Sequence, residues 1–138
     1  MRLPVIRRLT SAALSRSLFT MVIQRGIYHR ERLTKPLMDS IWQPLQEQSG
    51  KAGFIQLIKC INNRLLTDIS DQLRQLTMPV LVIRGDADAY LSEQISDFLL
   101  NQIPNARIEH IAHGGHFIQY DEPAKVTSLL LTFIGQEQ

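Results

Sequence analysis

The chain has 138 residues, 44% hydrophobic and 20% charged, enough for one ordinary globular domain and too few for two generous ones. A single cysteine, Cys60, excludes an intrachain disulfide and a cysteine-based metal cluster; it fits a reducing compartment and is expected to serve as a small core hydrophobe. The net charge of +2 hides an asymmetry: residues 1–70 carry 11 Lys and Arg against 4 acids (+7), and residues 71–138 carry 4 against 9 (−5).

The basic half is not read as a nucleic-acid surface, because its cations are scattered along helical patterns without a binding motif. No stretch approaches the ~20 apolar residues that span a bilayer, so no membrane partner is expected. Before Glu31 the chain holds Arg2, Arg7, Arg8, Arg16, Arg25 and Arg30, several Ser and Thr, and no acid, which is the composition of an organellar presequence. That segment runs into further helix without a break in composition, so the expected location is cytoplasmic, with a presequence in residues 1–30 as the alternative.

In chain order, apolar residues from Val5 to Val22 recur at three and four positions and predict an amphipathic helix from Pro4 to about Gln24, ended by Gly26. A second helix is expected after Thr34 as N-cap, with Pro36 in its first turn and Pro44 kinking or ending it. Ser49-Gly50 reads as a loop before a third helix carrying Phe54, Ile55, Leu57, Ile58 and Ile61. Near Leu76 the pattern changes. Val80 to Ile83 is a continuous apolar run of the kind that forms a parallel strand buried on both faces. A Gly-Asp loop, a helix from about Ser92 to Ile103, a turn at Pro104-Asn105 and a second strand from Arg107 to Ile111 follow. A last helix from near Pro123 is expected to bury Val126, Leu129, Leu130 and Phe133. The reading is a helical region, 1–70, followed by one βαβα unit of a parallel sheet, 71–138.

Function in a parallel sheet collects at the carboxyl ends of its strands. Asp88 and His116, 28 positions apart, both fall just after predicted strands. Singly, Asp88 reads as a turn carboxylate and His116 as a loop imidazole. Together they have the makeup of an acid that orients a base. Asp86 is the competing acid and His113 the competing base, while His110 falls inside a strand and His29 at a helix junction.

The segments Pro79-Val80-Leu81-Val82-Ile83-Arg84-Gly85-Asp86-Ala87-Asp88 and Gly115-His116-Phe117-Ile118-Gln119-Tyr120-Asp121-Glu122-Pro123 resemble the seventh and eighth strand regions of the α/β-hydrolase superfamily. The resemblance implies that Asp88, third after Gly85, is the catalytic acid and His116 the catalytic base. Upstream, the helices and Leu66 to Leu73 are similar to the family's helical cap and the short helix leading into its seventh strand. The implied fold is α/β, a partial α/β-hydrolase fold with a cap-like region (1–70) and the C-terminal part of the core (71–138). Phe19, Met38, Trp42 and Phe54 are then candidates to line an apolar substrate pocket.

The family's first half is not matched. No Ser, Cys or Asp lies in a G-x-S-x-G elbow; Gly50-Lys51-Ala52-Gly53 contains no nucleophile, and the oxyanion loop is also absent. The expected function is therefore the C-terminal portion of a hydrolase that uses a nucleophile-His-Asp triad on an ester or another small-molecule bond, inactive alone. The alternative is a non-catalytic interaction or oligomerisation module. No cofactor and no metal are expected. A small-molecule substrate is expected only when an N-terminal half completes the site, whether the chain is a gene fragment, one half of a split enzyme or a free-standing remnant that pairs with a complementing chain or with itself. Purified 1–138 is predicted to leave a simple aryl ester unhydrolysed above the buffer rate; turnover that His116→Ala abolishes would contradict this.

Overall fold

A computed structural model describes residues 15–61 and 65–136, and these fall into two compact units. One is drawn from residues up to Ile23 and from Leu33–Ile69, the other from Gln24–Arg32 and from Ser70 onward.

In the first unit, the part of α1 (Arg16–Gly26) up to Ile23 places Phe19 and Ile23 one turn apart, and both are buried, while Met21 and Val22 are exposed. The helix ends at Gly26 as expected; the part expected from Pro4 to residue 14, with Arg7 and Arg8, lies outside the described residues, as does Arg2. The second helix, α2 (Lys35–Trp42), starts where Thr34 turns extended and its hydroxyl accepts the Leu37 N–H at 3.4 Å, with Pro36 in the first turn. Pro44 has no N–H to continue the ladder, and residues Gln43–Gln46 tighten into a 3₁₀ turn.

Helix α3 (Gln48–Cys60) corrects the expected loop at Ser49-Gly50, which instead form its first turn. The glycine serves packing: a Cβ at Gly50 would stand 2.0 Å from the Pro44 carbonyl oxygen. Of the four residues expected to line a pocket, Phe19 and Met38 are buried and Trp42 and Phe54 half-buried. The Phe19 ring lies 5.3 Å from Trp42 and 5.7 Å, edge on, from Phe54, and Met38 is buried. Cys60, expected inside, is exposed at the end of α3. On the surface Asp39 pairs with Arg16 and with Lys35 one turn before it. After α3 comes α4 (Leu65–Asp68).

The second unit opens with α5 (Ser70–Arg74) and is built around β1 (Val80–Gly85) and β2 (Ala106–Ile111), joined by α6 (Glu93–Gln102). The strands run parallel, Val80 beside Ala106 through Gly85 beside Ile111. Asn105, in the expected turn, fixes their start: its side chain donates to the Thr77 carbonyl at 2.7 Å and its own carbonyl accepts the Val80 N–H. Among the described residues the sheet has these two strands alone, and Val80 to Arg84 are only half-buried. Burial of β1 on both faces, expected from its composition, is not supplied by these residues. The fully enclosed part of the unit is small, chiefly Ile27, Ile103, Ile111 and Asp121.

Between β2 and the last helix lies a one-turn helix, α7 (Ile118–Asp121), which the periodicity did not reveal. The last helix, α8 (Pro123–Gly135), begins at its proline, with Phe133 under the Arg107 guanidinium at 5.5 Å. Val126, Leu129 and Phe133 are half-buried, but Leu130, expected inside, is exposed together with Leu131 and Ile134. No described helix is long and apolar enough to cross a membrane.

Two glycines in α3 are predicted to respond oppositely to alanine. Gly53 has no atom within 4 Å of an added Cβ, so Gly53→Ala should stabilise by about 0.5–1 kcal/mol through helix propensity. Gly50→Ala should destabilise by more than about 1 kcal/mol, because the obstructing atom is backbone. Urea melts of the two variants measure both signs.

Candidate active site

Glycine and backbone hydrogen bonds bring two loops together before any functional side chain is considered. At the end of β1, Gly85 is buried against residues 114–115; a Cβ there would stand 2.3 Å from the Gly114 carbonyl oxygen. The Asp86 N–H donates to the Ile111 carbonyl and the Ala87 N–H to the Gly114 carbonyl, each at 3.0 Å. Arg84, from β1, reaches over to the carbonyls of Leu91 and Ser92 and ties down the far end of the first loop.

This stitching delivers Asp88 to His116. The Asp88 Oδ2 lies 3.0 Å from His116 Nδ1, while its Oδ1 accepts the N–H groups of Tyr90 at 2.7 Å and Leu91 at 3.0 Å. The turn that holds the carboxylate is thus formed by the carboxylate itself. Burial works against the charge of Asp88, but the amide bonds from Tyr90 and Leu91 and the bond to His116 outweigh it and hold this carboxyl below its ordinary value. Asp88 remains ionised at neutral pH and favours the tautomer with the proton on Nδ1, which leaves Nε2 as the proton acceptor. Two rings meet His116 edge on: Tyr90 at 5.2 Å and Phe117 at 5.0 Å. Burial pushes the Tyr90 phenol above its ordinary value, so this wall stays neutral at physiological pH.

The competing candidates lie elsewhere. Asp86 points to His110, Oδ1 to Nδ1 at 2.6 Å, in a more exposed pair. His113 stacks on Tyr28 at 5.3 Å, and His29 is held between Glu31 at 2.9 Å and Glu122 at 3.1 Å. Two contributors escaped the sequence reading. Tyr90 carried no signal beyond being aromatic two residues after an acid. Asp121, buried under the histidine loop, reads in sequence as an ordinary acid before a helix-starting proline. Among the described residues no group of three His, Cys, Asp or Glu is placed to hold a metal ion.

The depressed Asp88 has a consequence for acid stability. Its contribution is present above the unfolded carboxylate value of about 4 and is lost as pH falls through the lower folded value. Asp88→Asn removes the charge that titrates. The gap in thermal midpoint between wild type and Asp88→Asn should be open at pH 5 and narrow steadily as pH falls below about 4 and on through the lower folded value; a gap as wide at pH 2 as at pH 5 would show that the carboxylate charge is not its source.

A family model described as alpha/beta hydrolase fold matches residues 11–123. A putative non-heme chloroperoxidase from Synechocystis sp. is 31% identical over 105 residues, 75% of this chain and 36% of the relative. A 2-hydroxy-6-oxononadienedioate/2-hydroxy-6-oxononatrienedioate hydrolase from Cupriavidus pinatubonensis is 26% identical over 79% of this chain and 38% of its own length. Among solved structures, a serine hydrolase from the polyaromatic hydrocarbon-degrading bacterium Cycloclasticus zankles superposes with a TM-score of 0.75 at 17% identity, covering 91% of this chain and 47% of that one. The chain thus spans less than half the length of each of these proteins. The parallel β1–α6–β2–α8 arrangement and this similarity lead to one assignment: the chain belongs to the α/β-hydrolase family and holds part of its fold.

Proposed function

We propose that this chain supplies the orienting acid and the general base of a nucleophile-His-Asp triad, with Asp88 holding the imidazole of His116 while Nε2 takes the proton of a nucleophile and later of water. The observation that carries the reading is the Asp88–His116 pair at 3.0 Å, whose acid is pinned by two further amide bonds. Such an acid loses no orientation when the imidazole becomes charged, and its charge stabilises the imidazolium. The relatives are described as hydrolases and related enzymes, which supports bond hydrolysis as the reaction class.

The nucleophile and the oxyanion donors are not among these 138 residues in recognisable form. They come, on this reading, from a further segment of the fold, in the same polypeptide or a complementing one, and a small-molecule ester or similar bond is the substrate class. The setting is cytoplasmic, consistent with one exposed cysteine and no disulfide pair. A second reading, a non-catalytic interaction module, draws on the same open surfaces: half-buried β1 and the exposed Leu130, Leu131 and Ile134 of α8.

The two readings separate in one experiment. The sequence upstream of Met1 is determined, and any segment there with a strand–G-x-S-x-G–helix pattern is produced together with 1–138. Aryl-ester hydrolysis should appear only in the combination, fall about 10⁴-fold with Asp88→Asn, and fall at least as far with His116→Ala. Unrelated upstream sequence with a soluble, monodisperse, inactive 1–138 would favour the module.

A further inference from the structure

Asp121 is fully buried, at 0% exposure, and has no part in the Asp88–His116 pair. Its carboxylate is nonetheless saturated with backbone donors. Oδ2 accepts the N–H of Gly115 at 2.7 Å and that of Tyr28 at 3.1 Å, and Oδ1 accepts the N–H of His29 at 2.8 Å. The Arg32 guanidinium donates to the main-chain carbonyl of the same residue. Both oxygens of this buried side chain are thus engaged by backbone N–H groups.

These bonds converge on the residues that flank His116. On one side Gly115 is held by Asp121 and pressed so closely that a Cβ there would stand 2.5 Å from the Gly26 carbonyl oxygen. On the other side the Phe117 N–H donates to that same Gly26 carbonyl at 3.1 Å. The Cα–Cβ bond of His116 is thereby fixed from both neighbours, and only its two side-chain torsions are left to set where Nδ1 points. A 1 Å displacement of such a group is costly to catalysis.

We propose that Asp121 is a positioning residue for His116: it clasps the Gly115 amide to the Tyr28-His29 backbone, and so aims Nδ1 of the imidazole at Asp88. The segment from Gly26 to Arg32 is then part of the device, since it supplies the two other amides that Asp121 binds and the carbonyl that Phe117 binds. The proposal rests on the reading of His116 as a base only for its purpose. The test reads the position of a proton and not turnover, so it can fail while the catalytic reading stands, and the reverse.

The test is long-range ¹H–¹⁵N spectroscopy of ¹⁵N-labelled 1–138 at a pH where imidazole is neutral. In wild type His116 should be the Nδ1–H tautomer, because Asp88 accepts from that atom. In Asp121→Asn, an amide of the same shape, one carboxylate oxygen becomes an N–H group that faces a backbone N–H. The Nδ1–H signature should be lost and the Nε2–H form should become the majority. Ile103→Ala, which hollows the core elsewhere in the same unit, should leave the wild-type tautomer in place. Should Asp121→Asn lack a cooperative melt, Arg32→Gln removes the guanidinium from the Asp121 carbonyl, leaves the carboxylate's three amides in place, and should shift the tautomer in the same direction, by less. An unchanged Nδ1–H signature in folded Asp121→Asn, or in Arg32→Gln where that is the variant that folds, would overturn the proposal. So would an equal shift in Ile103→Ala.

Discussion

Two peptide hydrogen bonds and one missing side chain govern the site. The amides of Asp86 and Ala87 donate to the carbonyls of Ile111 and Gly114, and Gly85 lets the two backbones approach to where any Cβ would collide with a carbonyl oxygen. Everything chemical in the second unit follows from that approach. Asp88 is two residues past Asp86 and His116 two past Gly114, so once the loops are in register the side chains meet at hydrogen-bond distance. The bond between them then refines an arrangement the backbone has already made, and a backbone-built arrangement costs little reorganisation when charge develops.

The same unit shows two ways of holding a carboxylate. Asp88 keeps one edge in contact with the imidazole and uses the other to build its own turn, which leaves it ionised in spite of partial burial. Asp121 is wholly inside and gives both oxygens to amides, two from the Gly26–Arg32 segment and one from the histidine loop. The first arrangement is suited to receiving a positive neighbour and the second to holding backbone still. Asp86, the nearest rival in sequence, does neither; it meets His110 in a pair exposed enough for solvent to screen.

The sheet is the other constraint. Two parallel strands pair from Val80 to Gly85, yet the composition of β1 is that of a strand covered on both sides, and half-buried Val80 to Ile83 show that the described residues cover it only in part. A chain that spans less than half the length of its relatives would be expected to show this mismatch, since the apolar pattern of a central strand is set by the whole sheet. The exposed apolar residues of α8 carry the same signature.

The sequence by itself determined what depends on neighbours in the chain. Thr34 and Pro36 start a helix, Pro44 stops it, the run before Gly85 makes a strand, and Pro123 opens the last helix, because caps, missing N–H groups and apolar periodicity act within one or two turns. The candidate pair, Asp88 and His116, was also legible, from its place after successive strands and from the resemblance of the flanking segments to the seventh and eighth strand regions of the α/β-hydrolases. Only the tertiary structure decided the rest. Whether Gly50 meant a loop or a close contact depended on where the Pro44 carbonyl came to lie, and the exposure of Cys60 and Leu130 depended on what covers each helix face. That Asp121 is buried beneath the His116 loop depended on the amides of Tyr28 and His29, some ninety residues away in the chain, since a carboxylate has no partner in the sequence until folding brings one to it.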